Sequence, residues 1–329
     1  MRISIPGSVI DENLKPATDM KNITDKKAGR SHRRQRFSEA WSLFYENMVG
    51  RIGLYLLVLF GAMALASWIP PLVDPMYHPM TGVDPLISYA SPPSWRHWLG
   101  TDNIGRDIFS QLLTGARVAF LVGVSAAFIS IVLGTLIGMI AGYGGRIADS
   151  LLMRFADMVM VMPSLLVILL LSVLFGQLSI WIIVILIALF RWPAVARVIR
   201  SQTLTLKKRP FIDMARVAGA SHLRIIFRHI LPNVLPMALL YMTFRVTSAI
   251  IVEAALAFLG FGDPNTVSWG MMLQWVWKTG HMFQAPYWLL PPGICISLIT
   301  LSFYMMGRAM EEILDPRLRK IQKADYAAA

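Results

Sequence analysis

Cysteine occurs once, as Cys295 within a hydrophobic block. A lone thiol excludes a disulfide framework inside the chain and leaves packing as its expected role. The six histidines, His32, His78, His97, His222, His229 and His281, are scattered, without the spacing that a metal needs, and no metal site is expected. The G-x-x-x-x-G-K-S/T phosphate loop is missing, so the chain is not expected to hydrolyse ATP itself. G-x-S-x-G and H-E-x-x-H are missing too, and with them any sign of a catalytic constellation. Charged residues are scarce, 15% of the chain, where a soluble domain carries about 25%. Near the start there is no apolar stretch of the kind that forms a cleavable signal peptide.

What is abundant is apolar sequence, 56% of all residues. It is gathered into blocks at 50–69, 118–143, 151–175, 180–199, 234–259 and 289–310, each about the 20 residues that cross a bilayer as a helix. The expected fold is therefore an all-α polytopic membrane protein with six spans. The formal charge of +12 does not point to nucleic acid. Lys and Arg cluster just outside the spans on alternate sides, as orientation signals do, and no aromatics are interleaved for base stacking.

The charge bias orients the chain. RSHRRQR at 30–36, the eight Lys or Arg residues from Arg197 to Arg228, and the basic C-terminal tail place both termini and the 200s segment in the cytoplasm. After the first span, Asp74, Asp84, Asp102 and Asp107 outnumber Arg96 and Arg106, which places that loop outside. The chain divides into a disordered basic cytoplasmic tail at 1–40, an N-terminal region at 41–117 with the first span and the outer loop, a five-helix domain at 118–311, and a tail at 312–329. A short interfacial helix is expected at 37–48. Pro70-Pro71 should end the first span.

Within the spans, Ala126, Ser130, Gly134, Gly138 and Gly142 recur at intervals of four and form a small-residue stripe suited to close helix packing. Arg154 and Asp157, three apart, are placed to pair on one helix face. Pro163 should kink the third span and Pro193 the fourth. Arg245 and Glu253 lie inside the fifth, eight residues apart, about 12 Å along a helix. Such residues are either functional or polar contacts to a neighbouring helix. Trp269, Trp275, Trp277 and Trp288 form an interfacial belt.

The segment 207–232, KKRPFIDMARVAGASHLRIIFRHILP, reads as two short helices with a sharp joint. Pro210 suits a first turn, and Asp213 there meets the positive helix end. Gly219 is a natural residue just past a helix end, and Ser221 can cap the next one. Leu223, Ile226, Phe227, Ile230 and Leu231 fall on one face, away from Arg224 and Arg228, and Pro232 should stop the helix. Such an elbow either lies on the lipid surface or docks into a cleft of a partner.

The elbow resembles the cytoplasmic loop of ABC importer permeases, E-A-A, three residues, G, nine residues, I-x-L-P. Ala215, Gly219, Leu231 and Pro232 match, while Asp213 replaces Glu, Met214 replaces Ala and His229 replaces Ile. The stretch 97–118, HWLGTDNIGRDIFSQLLTGARV, is similar to the H-x-L-G-T-D-x-x-G-R-D signature of dipeptide/oligopeptide/nickel-type permeases, through Gly100, Thr101, Asp102, Gly105, Arg106 and Asp107. ADMVMVMPSL at 156–165 resembles their third span. EAALAFLGFGDPNTVSWG at 253–270 resembles their next signature, with Glu253 and Gly260 in place. The resemblance covers about residues 41–320 and is nearest the second, C-type subunit of a permease pair.

It implies the type I ABC importer fold. It also implies a translocation path formed with a homologous permease, two cytoplasmic ATPases that hold ATP and Mg, and an extracytoplasmic solute-binding protein. Asp213, Met214, Ala215, Gly219, Ala220, Ser221, Leu231 and Pro232 would then seat on an ATPase. Peptides are the implied cargo, with nickel, glutathione or oligosaccharide as alternatives within the family. An ion-coupled secondary transporter is the more distant alternative, compatible with Arg154, Asp157, Arg245 and Glu253. The plasma (inner) membrane of a bacterium or archaeon is the implied location.

Overall fold

The structure is a computed structural model that describes residues 42–314 except Leu43, Ser88 and Gln177. The expected terminal tails lie outside these residues almost entirely. Of the expected interfacial helix, Ser42 and Phe44–Glu46 are helical. From Met48 onward the described residues are helices joined by loops, with a single isolated β-bridge, Thr101 to Asp107.

The first span is α1, Met48–Ala66, followed after Ser67 and Trp68 by a short helix α2, Ile69–Val73. Pro70 and Pro71 occupy the first turn of α2 rather than ending α1, a place where a missing N–H costs nothing. The next helix, α3, runs over Ile108–Tyr143, starting ten residues before the apolar block. Its true start is set by a cap: the Asp107 side chain accepts from the Ser110 N–H, and Gln111, Thr114 and Arg117 then ride on the helix as polar passengers.

The expected kink at Pro163 is a full break. Arg146–Val161 (α4) and Ser164–Phe175 (α5) meet at 76°. Proline excludes helical conformation from the residue before it, and Met162 is extended, with φ −70° and ψ 127°. By contrast Pro193 sits inside α6, Ile180–Lys207, without interrupting it. The expected Arg154 to Asp157 pair is not formed; Asp157 reaches across to Arg197 of α6 at 2.5 Å, and Asp149 of α4 pairs with Arg200.

The elbow comprises α7, Pro210–Val217, and α8, His222–Ile225, which runs through a π-helical turn, Ile226–Ile230, into α9, Leu231–Phe258. Pro232 therefore does not stop the helix. It falls in the first turn of α9, where the wider π turn ahead of it takes up the lost N–H and the ring clash. A loop helix α10, Trp269–Lys278, and the last span α11, Pro286–Leu314, complete the order. Among the described residues five helices are long and apolar enough to cross a membrane, six when α4 and α5 count as one broken span.

The small-residue stripe is a helix seam. Gly134 faces Val195, Gly138 faces Ala196 and Ile199, and Gly142 faces Thr203, all on α6. A Cβ at Gly138 would come within 2.5 Å of the Ala196 carbonyl oxygen, so the backbones are as close as glycine permits. Farther along the same seam, Ser130 Oγ donates to the Ala188 carbonyl. Phe60, Ile108, Ile250, Trp269, Trp288, Ile299 and Phe303 pack into one apolar core that includes the buried Cys295.

Candidate functional sites

At one end of the helices sits the elbow. Asp213 lies in the first turn of α7 and pairs with Arg216 at 2.9 Å. Gly219 has φ +75°, a left-handed joint that suits glycine, and Ser221 caps α8 by accepting from the Arg224 N–H. Ile212, Ile225 and Ile230 are buried against Tyr143, Val195 and Ile199, with Ala215, Ala220 and Leu231 packed at the edge of that cluster. The residues that spacing puts on one face do not share one environment: Leu223 and Phe227 are exposed, whereas Ile230, and with it Ile225, is buried. The π turn changes the angle per residue, so a period of 3.6 misassigns the face. Met214, Leu223 and above all Val217, 90% exposed, make the outward side of the elbow apolar.

The elbow is latched by Tyr143, a residue that no motif or spacing in the sequence marks out. The Tyr143 hydroxyl, at the end of α3, lies 3.0 Å from His222 Nδ1, and Lys207 Nζ donates to the Tyr143 carbonyl at 2.9 Å. Lys207 and Arg216 also sit over the Tyr143 ring, at 5.3 and 5.9 Å, within reach of a cation–π attraction. One side chain thus ties both arms of the elbow to the small-residue seam.

At the other end, the 97–118 signature builds a buried polar cage. Thr101 Oγ1 donates to the Tyr89 carbonyl and accepts from the Ser91 N–H. Asp102 Oδ1 accepts from the Ile104 and Arg106 N–H groups, and Oδ2 from Arg106 Nε at 2.5 Å and Gln111 Nε2 at 3.0 Å. Asp107 turns one oxygen to Ser110 and the other, at 2.8 Å, to His97 Nδ1. His97 Nε2 in turn lies 3.3 Å from Asp84. The Leu86 N–H, with His97 and Arg96, holds the Asp84 carboxyl below the usual carboxylate range against the opposing effect of burial. Gly100 and Gly105 turn the loop with φ +81° and +86°.

The second signature closes on the first. The Arg106 guanidinium stacks 4.0 Å over the Trp275 ring, and Trp269 Nε1 donates to the Leu112 carbonyl at 2.9 Å. Glu253 is buried and faces the Ser268 hydroxyl that caps α10. Gly260, at φ +94°, lies against Gln274. Glu253 and Arg245 do not pair with each other: Arg245 lies beside Tyr241 and Arg191. Asp84 and Trp275 are the cage members outside the 97–118 signature, and only the fold brings them to His97 and Arg106.

A bundle of apolar spans with a latched basic elbow at one end and a polar loop cage at the other defines a membrane permease. The chain belongs to the family of binding-protein-dependent transport system inner membrane components, whose model matches residues 134–320. It is 38% identical to a putative peptide permease protein of Brucella suis, over 83% of this chain and 89% of that one. It is 32% identical to the oligopeptide transport system permease protein OppC of Bacillus subtilis, over 96% and 99%. With the glutathione transport system permease protein GsiD of Escherichia coli the identity is 35%, over 87% and 92%. A solved structure of the methionine ABC transporter MetNI, in inward-facing conformations, aligns with 62% of this chain and 96% of that one at 17% identity and a TM-score of 0.48. The chain is thus a multi-pass inner-membrane permease, a transport component rather than an enzyme, that works within a binding-protein-dependent system.

Proposed function

We propose that this chain is the second, C-type permease of an ATP-driven importer of peptides. It lines the path together with a homologous permease, and two cytoplasmic ATPases, which hold the ATP and Mg, drive it. An extracytoplasmic binding protein delivers the cargo at the loop cage, whose rim exposes Trp95 and Trp98. Both termini and the elbow lie in the cytoplasm, the side favoured by the Lys and Arg of 197–228. The peptide cargo is supported by the names of the relatives, which are peptide, oligopeptide and glutathione permeases.

The observation that carries the reading is the elbow itself. An apolar outer face of Met214, Val217 and Leu223 stands exposed on a rigid helix–Gly219–helix frame whose other face is packed against the spans. A helix face of this kind fits a hydrophobic groove on a partner. Because both arms are latched to Tyr143, a push on the elbow is passed to α3 and α6 rather than absorbed locally. The test is a cysteine at Val217 in an otherwise intact assembly. It should crosslink to an ATPase subunit, and vesicle uptake should require the ATPases and ATP. Uptake by this chain alone under a pH gradient would instead assign an ion-coupled carrier.

A further inference from the structure

Among the described residues, two arginines inside the spans, Arg191 and Arg245, form no ion pair with an acid. α6 enters the elbow and α9 leaves it, so the two run antiparallel, and they pack through Ile183, Val184 and Ile187 against Ala249, Val252 and Leu256. One turn nearer the elbow, each helix carries an arginine: Arg191, four residues after Ile187, and Arg245, four residues before Ala249. The guanidinium of Arg191 is close enough to act on that of Arg245, with Tyr241 the other group in reach. At 1.5 Å per residue Arg191 lies about 16 Å from the loop end of its helix and Arg245 about 20 Å from the loop end of its own, which puts both near mid-membrane.

The nearby acids of the described residues are engaged elsewhere. Asp157 is paired with Arg197, Asp149 with Arg200, and Glu253 faces Ser268. Arg245 Nε is buried with no hydrogen-bond partner. Two like charges within electrostatic reach of each other near mid-membrane are mutually repelling and poorly solvated, and residues so placed mark solute paths. Guanidinium forks present planar donor pairs that match a carboxylate. Tyr241, in reach of Arg245, is the first of a row of rings that continues through Phe244 to Tyr304, 6.4 and 5.9 Å apart, and low-dielectric surroundings strengthen a charge pairing.

We propose that Arg191 and Arg245 form a mid-membrane anion site that grips the carboxylate of the solute in transit. For a peptide that group is the C-terminus. The proposal deepens the importer reading and rests on it for the direction of travel. It gives the permease a selectivity of its own, in addition to that of the binding protein: cargo lacking a carboxylate passes less readily.

The test uses the whole detergent-solubilised complex of permeases and ATPases, without the binding protein. Sodium glutarate should raise its unfolding midpoint above that in sodium chloride of equal ionic strength, and trialanine should do so more than trialanine amide. Both shifts should vanish in R191Q and R245Q and persist in R191K and R245K. In vesicles with binding protein, R245Q should lower trialanine uptake about tenfold, the worth of one charge-assisted hydrogen bond. Equal shifts by glutarate in wild type and both glutamine variants, or none in any of them, overturn the proposal. A complex that falls apart on size exclusion when either arginine is replaced by glutamine also overturns it, because the pair would then answer an acid on a partner subunit. Should wild type take up no trialanine, the peptide reading fails, while the glutarate measurement still decides the site.

Discussion

The loop cage and the elbow each contain an aspartate and an arginine one helical turn apart in sequence, and the two pairs could hardly be more different. Asp102 and Arg106 are 0% and 9% exposed, whereas Asp213 and Arg216 are 61% and 39% exposed. Asp102 gathers four hydrogen bonds, and Arg106 is roofed by Trp275. Asp213 makes one contact, and its arginine leans toward Tyr143. The same chemistry gives a fixed platform where water is excluded and an adjustable surface where it is not. That division fits the proposed importer, in which the cage end receives cargo and the elbow end follows an ATPase.

The sharpest way to break the contrast is Asp102→Asn. It leaves Arg106 buried without its counter-charge, and losing one partner of a buried pair costs about 3–5 kcal/mol. The assembled complex should unfold at a markedly lower temperature and its 84–107 loop should become open to trypsin, while crosslinking from the elbow stays normal. An unchanged midpoint would mean that the cage does not hold the loop.

Gly219→Val comes next. No atom lies within 4 Å of the site of an added Cβ at Gly219, so the penalty is purely that of left-handed backbone for a branched residue, about 1–2 kcal/mol. The global midpoint should move little, but ATP-driven uptake should fall with ATP hydrolysis partly retained, because the joint angle changes. Uptake at the wild-type rate would show that this angle does not matter. Tyr143→Phe is milder still. It keeps the ring under Lys207 and Arg216 but deletes the hydroxyl that meets His222, worth about 0.5–1.5 kcal/mol. Uptake per ATP hydrolysed should drop, with assembly on size exclusion intact.

These predictions lean on parts of the molecule that were unequally legible in the sequence. Each apolar block lies within, or largely within, a span, because composition alone decides what a bilayer accepts. The ends of the spans were not legible. Asp107 caps an α3 that starts ten residues before the apolar run, and the π turn at Ile226–Ile230 carries the chain past Pro232. Gly219 and Ser221 were readable because a left-handed joint and a cap are local preferences of single residues. Tyr143 was not, since it meets His222 from 79 positions away. Arg154 and Asp157 show the converse hazard. Spacing made them partners, but Arg197, 40 positions on, offers Asp157 a contact across helices.

The smallest expected effect belongs to Asp213→Asn, and it is the most discriminating. As an ion pair alone, a couple this exposed contributes about 0–1 kcal/mol, so the complex should keep its unfolding midpoint. If Asp213 serves only α7, through the helix end and Arg216, ATP-driven uptake should also be unchanged, and added salt should affect wild type and variant alike. If instead Asp213 meets a basic group on an ATPase, the substitution should weaken ATPase retention on the permease, by an amount that shrinks as salt screens the wild-type contact. A salt-dependent loss of retention at constant thermal stability would extend the docking face from Met214 and Val217 to Asp213. Its absence would confine that face to the apolar residues.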